Sequence, residues 1–210
     1  MTALETESTE VWYVAYGSNL CLDRFMCYLA GGRPAGGSRT YSGARDRRSP
    51  LDIRAVQLTG SVYFALQSLV WGGGMAFFDA AGTGTVAGRA YRLRCSQYAD
   101  VAAQEMHRDP RADLDLERVL AQGRWSYGPG RYETLIRLGV LAGAPMLTLT
   151  APWGVDDVPH TTPSAAYLTV IAAGLRETHG WSRHQVAEYL ADLPGARQAW
   201  TRERLLGICG

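Results

Sequence analysis

Disulfide scaffolding is the first thing this sequence lacks. Four cysteines occur in 210 residues (Cys21, Cys27, Cys95 and Cys209), with no CxxC pair among them. That pattern excludes a dense disulfide framework and a thiolate zinc site, and it fits reduced thiols in a cytoplasmic protein. Histidine clusters are missing too. His107, His160, His179 and His184 are scattered, and the last two, five apart, would not share a helix face. No metal site is expected. Excess charge of one sign is also absent. Lys plus Arg is 21 and Asp plus Glu is 20, a net charge of +1. This argues against a global electrostatic grip on nucleic acid or anionic lipid, and leaves only a local patch at Arg45, Arg47 and Arg48. That patch reads as a solvated loop, with an acidic partner left open. There is no basic, apolar leader, since residues 1–10 are acidic and polar. The most apolar window, Ser61–Phe78, holds Gln67, Ser68 and three glycines, which suits paired strands better than a membrane helix.

What remains is an ordinary globular composition, 47% apolar and 20% charged, of a size for one domain. A disordered tail is expected over 1–10 and a single domain over 11–210. Val11–Tyr16 is β-branched and aromatic and predicts a buried strand. Gly17-Ser18-Asn19 breaks it, and Leu22, Phe25, Met26 and Leu29 then follow at helical spacing. A loop over Gly31–Pro50 precedes strand signals in Val56–Val70, which Trp71-Gly-Gly-Gly74 interrupts and Met75–Phe78 resumes. The three glycines read as a bend where backbone packs closely. Val86–Leu93 predicts a strand, Gln97–His107 a helix and Leu114–Leu120 a short helix. GRWSYGPGR then breaks regular structure, and a hairpin follows around Gly143. Ser164–Thr178 predicts a helix with Ser164 as cap and Gly180 as stop, and Trp181–Leu190 a further helix capped at Ser182. Regular crossover helices are absent, so the class is α+β rather than a doubly wound parallel sheet.

Two features carry chemistry. A strand entering a helix through Gly17 gathers unpaired N–H groups where a ligand can reach the main chain, a place for a carboxylate or an oxyanion. Ser18 or Asn19 is a candidate helix cap. The turn is neither a Walker loop, lacking GK[ST], nor a dinucleotide fingerprint. Glu105 sits among Val101, Ala102, Ala103 and Met106, so its helix turn is expected to face inward, where a carboxylate can shuttle a proton. Taken singly, the turn reads as a well-capped junction and Glu105 as the solvated edge of an amphipathic helix. Cys21, at a helix start, is a candidate thiol nucleophile or a packing residue.

The combination is more specific. VWYVAYGSNL resembles the opening strand and turn of the gamma-glutamylcyclotransferase-like family, WGGGMAFF its tryptophan-glycine strand, VAGRAYRL with Glu105 its strand and catalytic glutamate, and TTPSAAYLTVIAAGLRETHGW its Pro-Ser-x-x-Tyr helix. The blocks span about residues 11–190 in the family's order. The resemblance implies a small mixed-sheet β-barrel flanked by helices and no cofactor. It implies Glu105 as general acid and base, and a substrate cradle at Tyr16, Gly17, Ser18, Asn19 and Leu20. Pocket tyrosines are implied at Tyr132 and Tyr167. The implied reaction converts a γ-glutamyl amide to 5-oxoproline and frees an amine. The partner is then a small γ-glutamyl molecule, with neither nucleic acid nor membrane; a homodimer is left open. Two departures stand: Met106 replaces the glycine usual after the glutamate, and the segment before Tyr132 is longer, a lid or a reshaped leaving-group side. Alternatives are a cyclotransferase that deprotects a biosynthetic amine, a non-catalytic ligand-binding member of the fold, and an acyl transfer through Cys21.

Overall fold

The computed structural model describes residues 9–110 and 114–209. Most of the predicted tail, 1–8, lies outside them, and the first strand takes in Glu10. In chain order the strands are β1 (Glu10–Ala15), β2 (Asp52–Thr59), β3 (Ser61–Ala65), β4 (Met75–Asp79), β5 (Thr85–Arg94), β6 (Arg124–Ser126), β7 (Thr134–Leu141) and β8 (Ala144–Thr150). The helices are α1 (Leu22–Ala30), α2 (Cys95–Glu105), α3 (Glu117–Gln122), α4 (Ala165–His179), α5 (Arg183–Asp192) and α6 (Arg202–Leu206).

β1 lies inside a six-stranded sheet of order β2-β5-β1-β8-β7-β6, antiparallel to β5 and parallel to β8. Its residues alternate between two cores, as a strand's two-residue period requires. Trp12, Val14 and Tyr16 face the core built with α4 and α5; Val11, Tyr13 and Ala15 face the one built with α1 and α2. Covered on both faces, β1 reads as a continuous apolar run. The class is α+β with a mixed sheet, as expected, but the sheet does not close into a barrel. β3 and β4 form a separate two-stranded sheet. Where β4 meets β8, a side chain replaces the backbone ladder: Thr150 Oγ1 accepts from Phe78 N at 3.0 Å and donates to Phe78 O at 2.7 Å.

Three expectations are revised. GRWSYGPGR is not wholly irregular, because Arg124–Ser126 pairs with Ile136–Thr134 as an edge strand. Arg45 is not simply solvated. Its guanidinium and backbone N–H both reach Asp100, a fully buried carboxylate of α2, at 2.8–3.1 Å. Neither Ser18 nor Asn19 caps α1, whose cap position is Cys21 without a side-chain bond. The predicted cap at Ser164 holds, accepting from Tyr167 N at 3.2 Å. The glycine bend also packs closely, a Cβ on Gly74 falling 2.1 Å from Thr161 O. Among the described residues no helix is long and apolar enough to cross a membrane, and no group of three His, Cys, Asp or Glu is placed to hold a metal.

Candidate active site

β1 ends at Ala15, and the chain then turns through a 3₁₀ segment at Ser18–Leu20 into α1. Leu20 N donates back to Gly17 O and Cys21 N to Ser18 O. Among the described residues no backbone carbonyl accepts from the N–H groups of Gly17, Ser18 or Asn19. The turn borders an open cavity lined by Tyr16, Gly17, Ser18, Asn19, Glu105, Tyr132 and Tyr167 among others. Seven of the eight residues implied by the resemblance therefore meet on one cavity. Leu20 does not line it: its side chain is fully buried in the α4–α5 core, while its carbonyl accepts from Arg89 at 2.9 Å.

Glu105 closes α2 and is half-buried. Asn19 is the link to the turn. Its Nδ2 donates to Glu105 Oε1 and to Tyr13 Oη, both at 2.9 Å. A carboxylate only accepts, so the amide nitrogen must face it. Asn19 Oδ1 is left buried without a partner. Its backbone carbonyl is held by Tyr91 Oη at 2.7 Å. Burial, reinforced by the charge of Glu105, pushes the Tyr13 phenol well above its ordinary range. Met106, the departure from the family pattern, packs into the α1–α2 core and is absent from the cavity wall.

The three tyrosines are fixed by their hydroxyls. Tyr16 donates to Leu149 O at 2.8 Å and Tyr132 to Ala76 O at 2.7 Å. Tyr167 accepts from Ala76 N at 3.3 Å and from the Ser18 backbone, and burial pushes its pKa up to about 12. Phe77 stacks on Tyr132 with centroids 5.1 Å apart, and Trp71 on Tyr167 at 5.9 Å. Ser164 couples this wall to α4, because the hydroxyl that caps the helix also donates to Trp71 O at 2.8 Å.

Sequence reasoning missed the cationic part of the wall. Arg24, Arg39 and Arg131 all line the cavity, with Glu105 the one acidic residue there among the described residues. Arg24 is 4% exposed. Burial works against its charge, but Tyr28, Tyr41 and Glu105 outweigh burial and hold it firmly protonated. The helical spacing of α1 shows Arg24 beside Phe25, and nothing in one sequence marks it as buried. Among the described residues, the long segment before Tyr132 contributes only its ends, His107 and Arg131. Its middle is structural, with Val119 of α3 fully buried against the α1–α2 core. Cys21 is half-buried and does not line the cavity.

No family model matches the sequence. Among solved structures, a gamma-glutamyl cyclotransferase superposes with a TM-score of 0.52 at 15% identity, covering 95% of this chain and 98% of that one. The chain shares its fold with that enzyme. An uncharacterized protein from Homo sapiens matches at a TM-score of 0.53 and 16% identity, covering 96% and 99% of the two chains. A curated relative from Arabidopsis thaliana, histone deacetylase 5, is 27% identical over 199 residues. That match takes in 86% of this chain and 30% of the relative, so this chain spans less than a third of its length.

Proposed function

We propose that this protein cyclises γ-glutamyl amides to 5-oxoproline. One observation carries the reading: the Glu105 carboxylate is tied by Asn19 to the very turn whose Gly17 and Asn19 N–H groups donate to no backbone carbonyl among the described residues. The likeness of fold to a gamma-glutamyl cyclotransferase supports it.

The chemistry follows from those groups. The α-amino group of the glutamyl unit attacks its own γ-carbonyl carbon. An amine of this kind has a pKa of about 7.7–8.0, so near neutral pH a share of it is unprotonated and able to attack. As the ring C–N bond forms, Glu105 takes one proton from the attacking nitrogen, and the oxygen gains charge beside the Gly17–Asn19 turn. One such donor is typically worth about 3–4 kcal/mol. The bond to the departing nitrogen then breaks as Glu105 returns the proton to it. One carboxylate serving both steps contributes about 10²–10⁴-fold. Both reacting groups belong to one molecule, so the walls need only enforce the curled conformer, an advantage of several kcal/mol.

The test is a panel of γ-glutamyl amino acids and γ-glutamylated amines, scored for 5-oxoproline by chromatography. Release from at least one class is expected, and the favoured class tells a general cyclotransferase from a biosynthetic deprotecting one. Saturable binding with no 5-oxoproline would instead mark a binding member of the fold.

A further inference from the structure

The cation at the inner wall of the cavity is unexplained by the mechanism above. Arg24 Nη2 donates to Tyr28 Oη at 3.0 Å and Tyr41 Oη at 2.8 Å. The guanidinium carbon lies 4.5 Å from the centroids of both tyrosine rings and 6.0 Å from Trp71. Nε and Nη1 are buried and have no hydrogen-bond partner. Among the described residues Arg24 forms no ion pair, whereas the fully buried Asp100 has Arg45. A buried charge is ordinarily paired, because removing it from water is costly. The other two cations of the cavity are engaged. Arg39 contacts His107, and Arg131 donates to Gln67 O at 3.0 Å and Met75 Sδ at 3.1 Å.

The acid and this cation are brought together without pairing. Arg24 lies one turn before Tyr28, whose carbonyl accepts from Gln104 Nε2 at 2.9 Å, and Gln104 precedes Glu105. Asn19, which donates to Glu105, lines the same cavity as both, its Oδ1 an unused buried acceptor. The orphan donors of Arg24 and the orphan acceptor of Asn19, on residues of one cavity, complement a group that carries an anion and an amine on a single carbon.

We infer that Arg24 holds the α-carboxylate of the γ-glutamyl unit, while Asn19 Oδ1 and Glu105 receive the α-amino group beside it. Arg24 is thus a specificity-determining residue. The assignment of the carboxylate rests on the cyclotransferase reading. It turns the attacking amine toward Glu105 and selects glutamyl over acyl chains that carry an amine alone.

Two substrates separate the possibilities: γ-glutamylalanine and 4-aminobutanoylalanine. They share a leaving group and a ring-closing amine and differ only in the α-carboxylate. Arg24→Gln is expected to lower kcat/KM for the first by roughly 10- to 100-fold, the range for a hydrogen bond to a charged group. The second substrate should change little, and Arg24→Lys should recover part of the loss. Equal losses on both would place Arg24 on the leaving group or in the scaffold alone and overturn the inference. Equilibrium binding of 5-oxoproline and 2-pyrrolidinone, which differ by the same carboxylate, gives a readout independent of turnover. Wild type should prefer 5-oxoproline, and Arg24→Gln should lose that preference. A preference absent from wild type, or surviving in the variant, overturns the inference. If it holds while wild type turns over neither amide, the carboxylate site stands and the cyclotransferase reading falls. Melting curves check folding; if Arg24→Gln is unfolded, Arg24→Lys takes both comparisons, and failure of both variants to fold marks a structural residue.

Discussion

At the residue scale the site depends on a few close approaches. Gly17 shows this most directly. Its φ of −117° suits any residue, so backbone conformation does not demand glycine there. Space does: a Cβ would lie 3.2 Å from Tyr167 Oη and 3.3 Å from Ala76 Cβ. Gly17→Ala must displace the Tyr167 hydroxyl by a few tenths of an ångström. Small displacements of positioned groups are costly in rate and cheap in stability. The expected result is a fall in kcat/KM of about 10-fold with a melting temperature close to wild type, read by steady-state kinetics and calorimetry. The turn was legible in the sequence because a glycine between a buried strand and a helix has few other uses. Glu105 was legible from its apolar neighbours only together with the other blocks. Arg24 was not, because its burial comes from Tyr28, one helical turn later, and Tyr41, on a distant loop.

At the element scale the decisive packing is α4 against the Ser18–Cys21 turn. Gly174 lies in the middle of α4, where glycine costs about 1 kcal/mol of helix stability relative to alanine. The structure explains it. A Cβ at 174 would fall 2.4 Å from Cys21 N and from Leu20 C, which are backbone atoms that cannot rotate away. Gly174→Ala therefore has two opposed effects, a gain in helix propensity and a steric push on the turn. The push should win, because overpacking a filled core costs typically about 1–3 kcal/mol. Denaturant titration should show destabilisation of that order, together with a lower kcat. An unchanged or raised stability would show that α4 does not press on the turn. The capped start and glycine stop of α4 were plain in the sequence, since Ser164 and Gly180 are local signals. β6 and α6 were not. β6 is three residues long and exists through its pairing with β7, and α6 is five residues long, started by the Thr201 cap. Elements that short owe their form to what they pack against.

At the scale of the whole molecule the class was readable and the closure was not. Strand order and the Thr150 bridge to Phe78 are long-range facts, and alternation along one segment does not encode them. The fold's response to acid is likewise a property of the assembled chain. Burial depresses the pKa of half-buried His179, and Arg89 adds to the shift. His107 is depressed by burial and then by Arg39. A histidine held below its unfolded pKa of about 6.5 leaves the unfolded chain binding more protons. The stability it contributes is present above that value and is lost as the pH falls through the folded pKa. Asp46, held down to about 2 by Arg48, titrates outside this window. The melting temperature should drop between pH 7.5 and pH 5.5 (values on either side of about 6.5), and the drop should be smaller in His179→Gln. An identical slope in the variant would remove His179 from the balance. The proposed catalysis, by contrast, converges on one atom pair. Glu105→Gln keeps an acceptor for Asn19 Nδ2 and removes the ability to take a proton. The most direct measurement is the rate of 5-oxoproline release by this variant on the best wild-type substrate. A loss of about 10²–10⁴-fold with unaltered melting is expected; a variant as fast as wild type would contradict Glu105 as the proton carrier.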